Sequence, residues 1–293
     1  MKKLTAIIPT FNRKDGILCL LEMLEKQDGG GIELSIIVVV DGSTDGTQEA
    51  IRSRFPGVTI IEGDGNWWWT RSVNEGCKQA IKNNTDAVLL LNDDIRLESH
   101  YFRNLLTAVR QEPGAIIGSL NITAEKEKRI FFSGASGYRW WSGRLLKYHL
   151  FLSPYDRNLS GLYPSVVLPG RGLWIPAQVL ETIGFFDEKS LPQYKADYDF
   201  VLRANKRGIK TLISWDAVIY VQAAATGKGA TFTRQGLFSF LSSFFKKNTR
   251  TSLSQNFVYY FRHYPLWGLP IFPLAVVMTI FRQLLAFLKE KKY

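Results

Sequence analysis

Over its first hundred residues the chain alternates short apolar runs with stretches whose apolar positions recur three and four apart, the rhythm of strands and amphipathic helices in turn. Thr5 to Ile8 predicts a first strand, and Ile17, Leu20, Leu21 and Leu24 predict a helix behind it. Ile36, Ile37, Val38, Val39 and Val40 then form an unbroken β-branched run, so Ser35 to Val40 suits a strand buried on both faces. The polar turn from Asp41 to Gly46 can cap a helix beginning near Thr47. Val58 to Ile61 predicts a third strand, Val73, Cys77, Ala80 and Ile81 a helix, and Ala87 to Leu91 a fourth strand. This order predicts an α/β architecture, a Rossmann-like and mostly parallel sheet flanked by helices.

Beyond Ile95 the rhythm loosens. A helix is expected through Phe102, Leu105, Leu106 and Val109, and a strand from Ala115 to Ser119. Tyr138 to Pro164 is aromatic and basic without a clear period and reads as a long loop. Pro176 can open a helix that ends at Gly184, and Asp197 to Arg207 predicts another, closed by Gly208. The pattern divides the chain into a main unit over residues 1–233, itself split near 115, and a C-terminal region over 234–293.

Composition changes this picture in two respects. Cys19 and Cys77 both sit in helical patterns and read as buried free thiols, which fits a reducing compartment better than a disulfide framework. The four-residue apolar stretch before Pro9 is too short for a signal-peptide core, so secretion is not expected. The formal charge is +11, which invites a nucleic-acid reading, but from Arg234 to Tyr293 nine Lys or Arg face the single acid Glu290. The excess thus belongs to a tail of aromatic and aliphatic residues, which argues for lipid and against nucleic acid.

Three acidic positions carry candidate chemistry. Asp41 directly follows a buried strand, where open α/β sheets place their ligand crevice, although alone it is equally well read as a turn-former. Asn92-Asp93-Asp94 ends an apolar strand; extended backbone would point Asn92 and Asp94 one way and Asp93 the other. Such oxygen ligands suit magnesium or manganese, whereas an isolated acidic pair is more often a solvated turn. At a helix start, Asp197 shares the face of Phe200, Val201 and Ala204, while Asp199 falls on the other side, near Arg203. A carboxylate at a helix N-terminus stays ionised, as a general base requires, although a helix cap has the same address. The stretch from Gly63 to Trp69, with Asp64, Asn66 and three consecutive indoles, offers the aromatic faces and polar groups of a sugar or nucleobase site.

Taken together and in order, Ile7 to Arg13, Val38 to Thr47, Leu91-Asn92-Asp93-Asp94, Gly170-Arg171-Gly172 and Ala196-Asp197-Tyr198-Asp199 resemble the family 2 glycosyltransferases of the GT-A fold. The resemblance runs from about Leu4 to about Val221. It implies inverting, metal-dependent transfer from a nucleoside diphosphate sugar, with residues 1–115 as the nucleotide-binding half and 116–233 as the acceptor-binding half. Pro9, Thr10, Phe11, Arg13 and Asp41 would line the nucleotide pocket, joined by Asp64, Asn66, Trp69, Arg71, Asn92 and Asp93. Asp94, with Asp93, would bind Mn or Mg, and Asp197 would be the catalytic base. Gly170, Arg171, Gly172 and Trp174 would lie near donor sugar and acceptor. The sequence departs from the family's aspartate-any-aspartate motif in having Asn92 first, and Val218 to Gln222 lacks the His that many relatives carry after the late strand. The Gly-Asn-Trp-Trp-Trp and Gly-Arg-Gly stretches are similar to rhamnosyltransferase-like members, which implies a UDP- or dTDP-sugar donor such as dTDP-rhamnose and a cell-surface polysaccharide or lipid-linked acceptor.

In the tail, Leu237, Phe238, Phe240, Leu241, Phe244 and Phe245 form an apolar helical stripe running into Lys246, Lys247 and Arg250. Pro265, Pro270, Pro273 and Arg282 interrupt the later apolar stretch from Tyr264 to Leu288, so a spanning helix is not expected. An amphipathic appendage on the cytoplasmic face of the cell membrane is expected instead, the alternative being packing on the catalytic unit or on a second subunit in a homo-oligomer. Two other functions compete. A nucleotidyltransferase would need a Gly- and Lys-rich loop near the first strand, which is missing; a carbohydrate-binding module would not need Asp41, Asp94 and Asp197 together.

Overall fold

The computed structural model describes residues 3–28 and 30–222 and, beyond them, 242–246, 249, 251–265, 270, 273–274, 277–278 and 280–281. The first four strands are β1 (Lys3–Thr10), β2 (Glu33–Asp41), β3 (Thr59–Gly63) and β4 (Ala87–Leu90), joined by helices α1 (Lys14–Glu25), α2 (Thr47–Arg54) and α3 (Trp68–Lys82). All four run parallel, in the spatial order β4-β1-β2-β3. The chain therefore moves outward from β1 through β2 and β3, then returns to the other side of β1. That reversal opens a crevice at the carboxyl ends of β1, β2 and β4.

Alternation along these strands sorts their side chains onto two faces. Ile7, Ile37, Val39, Val88 and Leu90 pack with Val73, Cys77 and Ala80 of α3, while Ala6, Ile8, Val38, Val40 and Leu89 pack with Ile17, Leu20, Leu21 and Leu24 of α1. Both faces are covered, as the unbroken apolar run of β2 requires. At Gly76 a Cβ would stand 2.5 Å from Ile7 Cγ2, so α3 lies on β1 at a distance that only glycine permits.

The same sheet continues through β5 (Ile95–Leu97), β6 (Ile116–Thr123), β7 (Ile130–Phe132), β10 (Leu162–Pro164), β11 (Leu173–Pro176) and β12 (Thr211–Val221), with α4 (Tyr101–Gln111) between β5 and β6. Strand β11 inserts antiparallel between β4 and β6, and β6 pairs parallel with β12. Because β11 runs against β4, its start lies at the carboxyl edge. Gly172 N donates to Leu90 O at 2.8 Å, which fixes the preceding Gly170-Arg171 beside the crevice. Two further helices, α5 (Ala177–Ile183) and α6 (Ala196–Lys206), follow β11. Gly208, at φ +76°, follows the end of α6 in the left-handed conformation that glycine adopts without steric cost.

Tyr138 to Pro164 is not the aperiodic loop the sequence suggested. It contains most of the hairpin β8 (Ala135–Arg139) and β9 (Arg144–Lys147), and it ends in β10 on the main sheet. The aromatics hid the strand period because they pack on one another face to face: Tyr138 stacks on Trp140, and Tyr163 on Trp215. The C-terminal region supplies α7 (Leu253–His263), whose Gln255, Asn256, Tyr259, Tyr260 and His263 are buried. Of the predicted stripe from Leu237 to Phe245, the part through Leu241 lies outside the described residues, as does most of the stretch from Tyr264 to Leu288; Phe244 is buried and Phe245 exposed. Among the described residues no helix is long and apolar enough to cross a membrane.

Candidate active site

A cleft of about 480 Å³ opens at the carboxyl edge, lined by Pro9 and Thr10 at the end of β1, by Phe11 and Arg13 just beyond it, by Asp41 as the last residue of β2, and by Asn92, Asp93 and Asp94 after β4. Trp68, Trp69 and Ser72 from the start of α3, together with Gly65 and Gln193, complete the wall. The loops carrying these groups brace one another. Thr44 N donates to Asn12 Oδ1 at 2.8 Å, and Lys14 N to Asp45 Oδ2 at 2.9 Å, so the segments after β1 and β2 form one rim. A second cavity, of about 530 Å³, is lined by Gln111, Glu112, Lys210 and Thr211 at the amino ends of β6 and β12, the wrong edge for a ligand of this sheet.

Asp41 is 6% exposed. Its carboxylate accepts the backbone N–H groups of Gly65 at 2.8 Å, Trp67 at 3.0 Å and Trp68 at 2.9 Å. It thus shapes not its own turn but the indole-bearing loop across the cleft. Trp68 sits at φ +53°, a conformation unfavourable for a bulky residue and held by that bond. Trp69 turns inward and donates Nε1–H to Asn92 Oδ1 at 3.2 Å, while Arg71 stacks its guanidinium 4.6 Å from the ring of Trp67.

The acidic pair is 8% exposed at each residue. Thr10 donates to Asp93 Oδ2 at 2.7 Å, and Arg13 Nη1 stands 3.6 Å from Asp93 Oδ1 and 3.9 Å from Asp94 Oδ2. Burial pushes Asp93 up to about 6, and the charge of Asp94 adds to this, while the Thr10 hydroxyl and Arg13 pull it back. Asp94 Oδ1 is buried without a hydrogen-bond partner among the described residues. An orphaned anionic oxygen in a polar cleft is costly unless a cation or donor meets it. No group of three acidic, His or Cys side chains that could cage a metal occurs among the described residues. The donor set therefore fits Mg or Mn in the mode that uses one or two carboxylates and leaves the other positions to phosphate oxygens and water. At the place of the family's His, Gln222 N donates to Asp94 O at 3.4 Å, whereas Tyr220 turns its hydroxyl to Glu98.

Asp197 occupies the first turn of α6. Its carboxylate accepts Gly170 N at 2.9 Å and Tyr198 N at 2.9 Å. Burial raises its pKa, against the opposing pull of these two N–H groups and of Arg171. Asp197 does not itself line the 480 Å³ cleft. It is joined to that cleft through Gly170, where a Cβ would fall 2.2 Å from Trp69 Cζ2. The order Asp197, Gly170, Trp69, Asn92 is thus one continuous run of contacts from α6 to the acidic pair. Arg171 lays its guanidinium 5.3 Å from the ring of Phe131, and its Nη1 is buried without a partner among the described residues.

Several expectations need correction. Asn92 and Asp94 do not share a direction opposed to Asp93, because β4 ends at Leu90 and all three residues face the cleft from a turn. Asp64 and Asn66 on the indole loop and Arg71 in the first turn of α3 are exposed and do not line the cleft; Asp64 Oδ1 accepts Asn66 N at 2.9 Å. Trp174 is a core residue, 1% exposed within β11, because alternation from Leu173 turns it toward α4. Gly172 is packed against Ser119 and Tyr101. Asp199 lies beside Arg203 as expected, accepting its Nε–H at 2.9 Å, and is in addition fully buried because α7 covers that side of α6. Gln193 is the wall residue with no local signal: it accepts Trp69 N at 2.9 Å across 124 positions of chain. Ser72 was recoverable as the residue one helical turn after Trp68, whose carbonyl its hydroxyl bonds at 2.6 Å.

The solved structures most informative for this arrangement are distant in sequence. GalNAc-T7 with UDP, GalNAc and Mn2+ is 14% identical with a TM-score of 0.62, over 80% of this chain and 46% of that one, so the chain spans just under half of that protein. The mannosyltransferase PcManGT from Pyrobaculum calidifontis, in complex with GDP-Man and Mn2+, is 15% identical with a TM-score of 0.57, over 99% of this chain and 87% of that one. TarS 1-349 of S. aureus with UDP is 19% identical with a TM-score of 0.53, over 76% and 61%. These likenesses establish the GT-A fold. No curated protein sequence matches the chain. The profile named Glycosyl transferase family group 2 matches residues 87–289, and that named Glycosyl transferase family 2 matches residues 5–160. With more than half of its length matched by the latter, the chain belongs to glycosyl transferase family 2.

Proposed function

We infer that the protein transfers a sugar, with inversion, from a nucleoside diphosphate sugar to a hydroxyl of a cell-surface glycan or lipid-linked acceptor. The observation that carries the reading is the meeting of Asp41 and the Asp93–Asp94 pair in one cleft whose wall, Trp69, is packed on the Gly170 that Asp197 holds. Residues 1–115 form the donor half and 116–233 the acceptor half. Asp41 keeps about one acceptor site beyond its three backbone bonds, enough for one N–H of a nucleobase. Trp68 and Phe11 offer the apolar faces beside it. A divalent ion, Mn or Mg, would here be held by Asp94, with Asp93, and would neutralise charge on the departing diphosphate; the neighbours GalNAc-T7 and PcManGT carry Mn2+.

The protein's own residues supply the remaining chemistry. Two backbone N–H groups fix the Asp197 carboxylate, and its raised pKa makes it a stronger base than an exposed aspartate. It takes the proton of an acceptor hydroxyl as that oxygen bonds to the anomeric carbon. On the opposite face the bond from that carbon to the diphosphate oxygen breaks, and the nucleoside diphosphate leaves with the bonding pair. One displacement inverts the configuration.

The donor panel for testing comprises UDP-, GDP- and dTDP-sugars, with dTDP-rhamnose included for the Gly-Asn-Trp-Trp-Trp likeness. Asp197→Asn is expected to lower turnover by about 100-fold or more, while a nucleoside diphosphate still binds with Mn2+ and the wild-type product shows the inverted anomer by NMR. Wild-type turnover in Asp197→Asn would remove the base from its role.

A further inference from the structure

Helix α7 grips the helix that carries Asp197 at both ends. At the start of α6, Lys195 is the residue before the first turn and holds φ +68°, a left-handed conformation that a lysine adopts only under constraint. Its ammonium donates to Asn256 of α7 and lies 4.9 Å and 4.6 Å from the ring centroids of Tyr259 and Tyr260. Two residues beyond Asp197, the buried Asp199 accepts Arg203 Nε at 2.9 Å, Arg262 Nη1 at 2.8 Å and His263 Nε2 at 2.8 Å. Arg262 Nη2 also reaches Asp187 Oδ2 at 2.7 Å. At the far end of α6, Lys206 Nζ donates to Arg262 O at 2.8 Å. Asp197 therefore lies between two residues, 195 and 199, that are both fixed from α7.

Apolar contact alone would hold two helices together; a buried carboxylate with several fixed donors adds little over such contact but favours one register, because any other leaves a buried charge unpaired. Sliding or rotating α6 would break these bonds and carry Asp197 away from Gly170 and the cleft. We propose that Arg262 and His263 are positioning residues for the catalytic base, acting through Asp199, so that the C-terminal helix is a working part of the active site. The inference rests on Asp197 being that base. It separates the two halves of the site: the bonds from α7 described above reach Asp187, Lys195, Asp199 and Lys206, none of which lines the donor cleft, so disturbing them should affect the chemical step and spare donor binding.

The test uses the full chain and four variants: Arg262→Met, Arg262→Lys, Asp197→Asn, and Arg262→Met with Asp197→Asn. Turnover is read as nucleoside diphosphate release from the sugar donor that the wild type consumes fastest. Affinity is read by calorimetry with Mn2+ and whichever of UDP, GDP or dTDP the wild type binds. Amide hydrogen exchange at Gly170 provides a readout that needs no substrate. Arg262→Met should lose about 10- to 100-fold in turnover, the scale of a misplaced catalytic group, with nucleotide affinity unchanged. Gly170 exchange should rise while β1 and β4 keep their protection. Arg262→Lys, retaining one ion pair, should restore part of the turnover, and Arg262→Met should cost nothing further once Asp197 is Asn. Undiminished turnover and Gly170 protection in Arg262→Met would overturn the proposal, as would equal losses in turnover and nucleotide affinity or a full additive loss in the double variant. Should Asp197→Asn itself keep wild-type turnover, the base assignment fails first, and the role of α7 falls with it.

Discussion

At the scale of single residues, the site is organised by buried carboxylates with different duties. Asp94 has an oxygen with nothing to bond among the described residues, Asp93 is shared by Thr10 and Arg13, and Asp41 is nearly saturated by backbone donors. Replacing Asp41 by Ala leaves the N–H groups of Gly65, Trp67 and Trp68 without their acceptor. The expected cost is about 1–3 kcal/mol, together with release of Trp68 from its left-handed conformation. Urea unfolding followed by tryptophan fluorescence measures both; an unchanged midpoint and spectrum would show that the loop holds itself. Asp41 and Asp94 were legible as cleft residues because each directly follows an apolar run whose carboxyl end must lie at the crevice. Trp174 was misread, and the burial of Asp199 beside its expected neighbour Arg203 went unread, for the opposite reason. Their surroundings, α4 for the one and α7 for the other, come from elsewhere in the chain, and no local period reports them.

At the scale of elements, the junction of α6 and α7 has a pH dependence with a definite sign. Burial raises Asp199, but His263 and Arg203 outweigh it and hold its carboxyl at about 2. Its stabilising share is therefore complete above the unfolded value of about 4 and is lost as pH falls from there toward 2, on the order of 2 kcal/mol. Burial depresses the pKa of His263, so this residue favours the folded chain above about pH 6.5 and loses that effect as the pH drops. Both groups make the junction acid-labile. Wild type and Asp199→Asn should differ in melting temperature at pH 7 and converge toward pH 3; a gap of constant size would contradict the assignment. The helices and parallel strands of the first hundred residues were readable from spacing because local alternation and sheet burial agree there. The β8–β9 hairpin was not, since its ring-stacked aromatics replace the simple alternation of inward and outward residues.

At the scale of the whole molecule, one edge of one sheet collects groups far apart in sequence. The Gly170-Arg171 segment, whose Gly170 N–H meets Asp197, reaches that edge because β11 runs antiparallel to β4 and begins where β4 ends. Among the described residues of the C-terminal region, α7 buries Tyr259, Tyr260 and His263, while Phe245, Leu274, Val277 and Phe281 are exposed. Together with the basic excess after Arg234, these exposed groups support the reading of a peripheral attachment to the cytoplasmic face of the membrane. The protein should sediment with vesicles containing phosphatidylglycerol and be released by high salt; equal binding to neutral vesicles would remove the electrostatic part of that reading.

The central claim is that the cleft between β1, β2 and β4 holds a nucleoside diphosphate through a divalent ion on Asp94. Calorimetric titration with UDP, GDP and dTDP, each with Mn2+ and again with EDTA, on wild type and Asp94→Asn, tests it most directly. Saturable binding of at least one nucleotide to the wild type is expected, weakened about tenfold or more, or roughly 1.4 kcal/mol, by EDTA and by Asp94→Asn alike. Binding of none of the three, or binding indifferent to both the ion and the substitution, would contradict it.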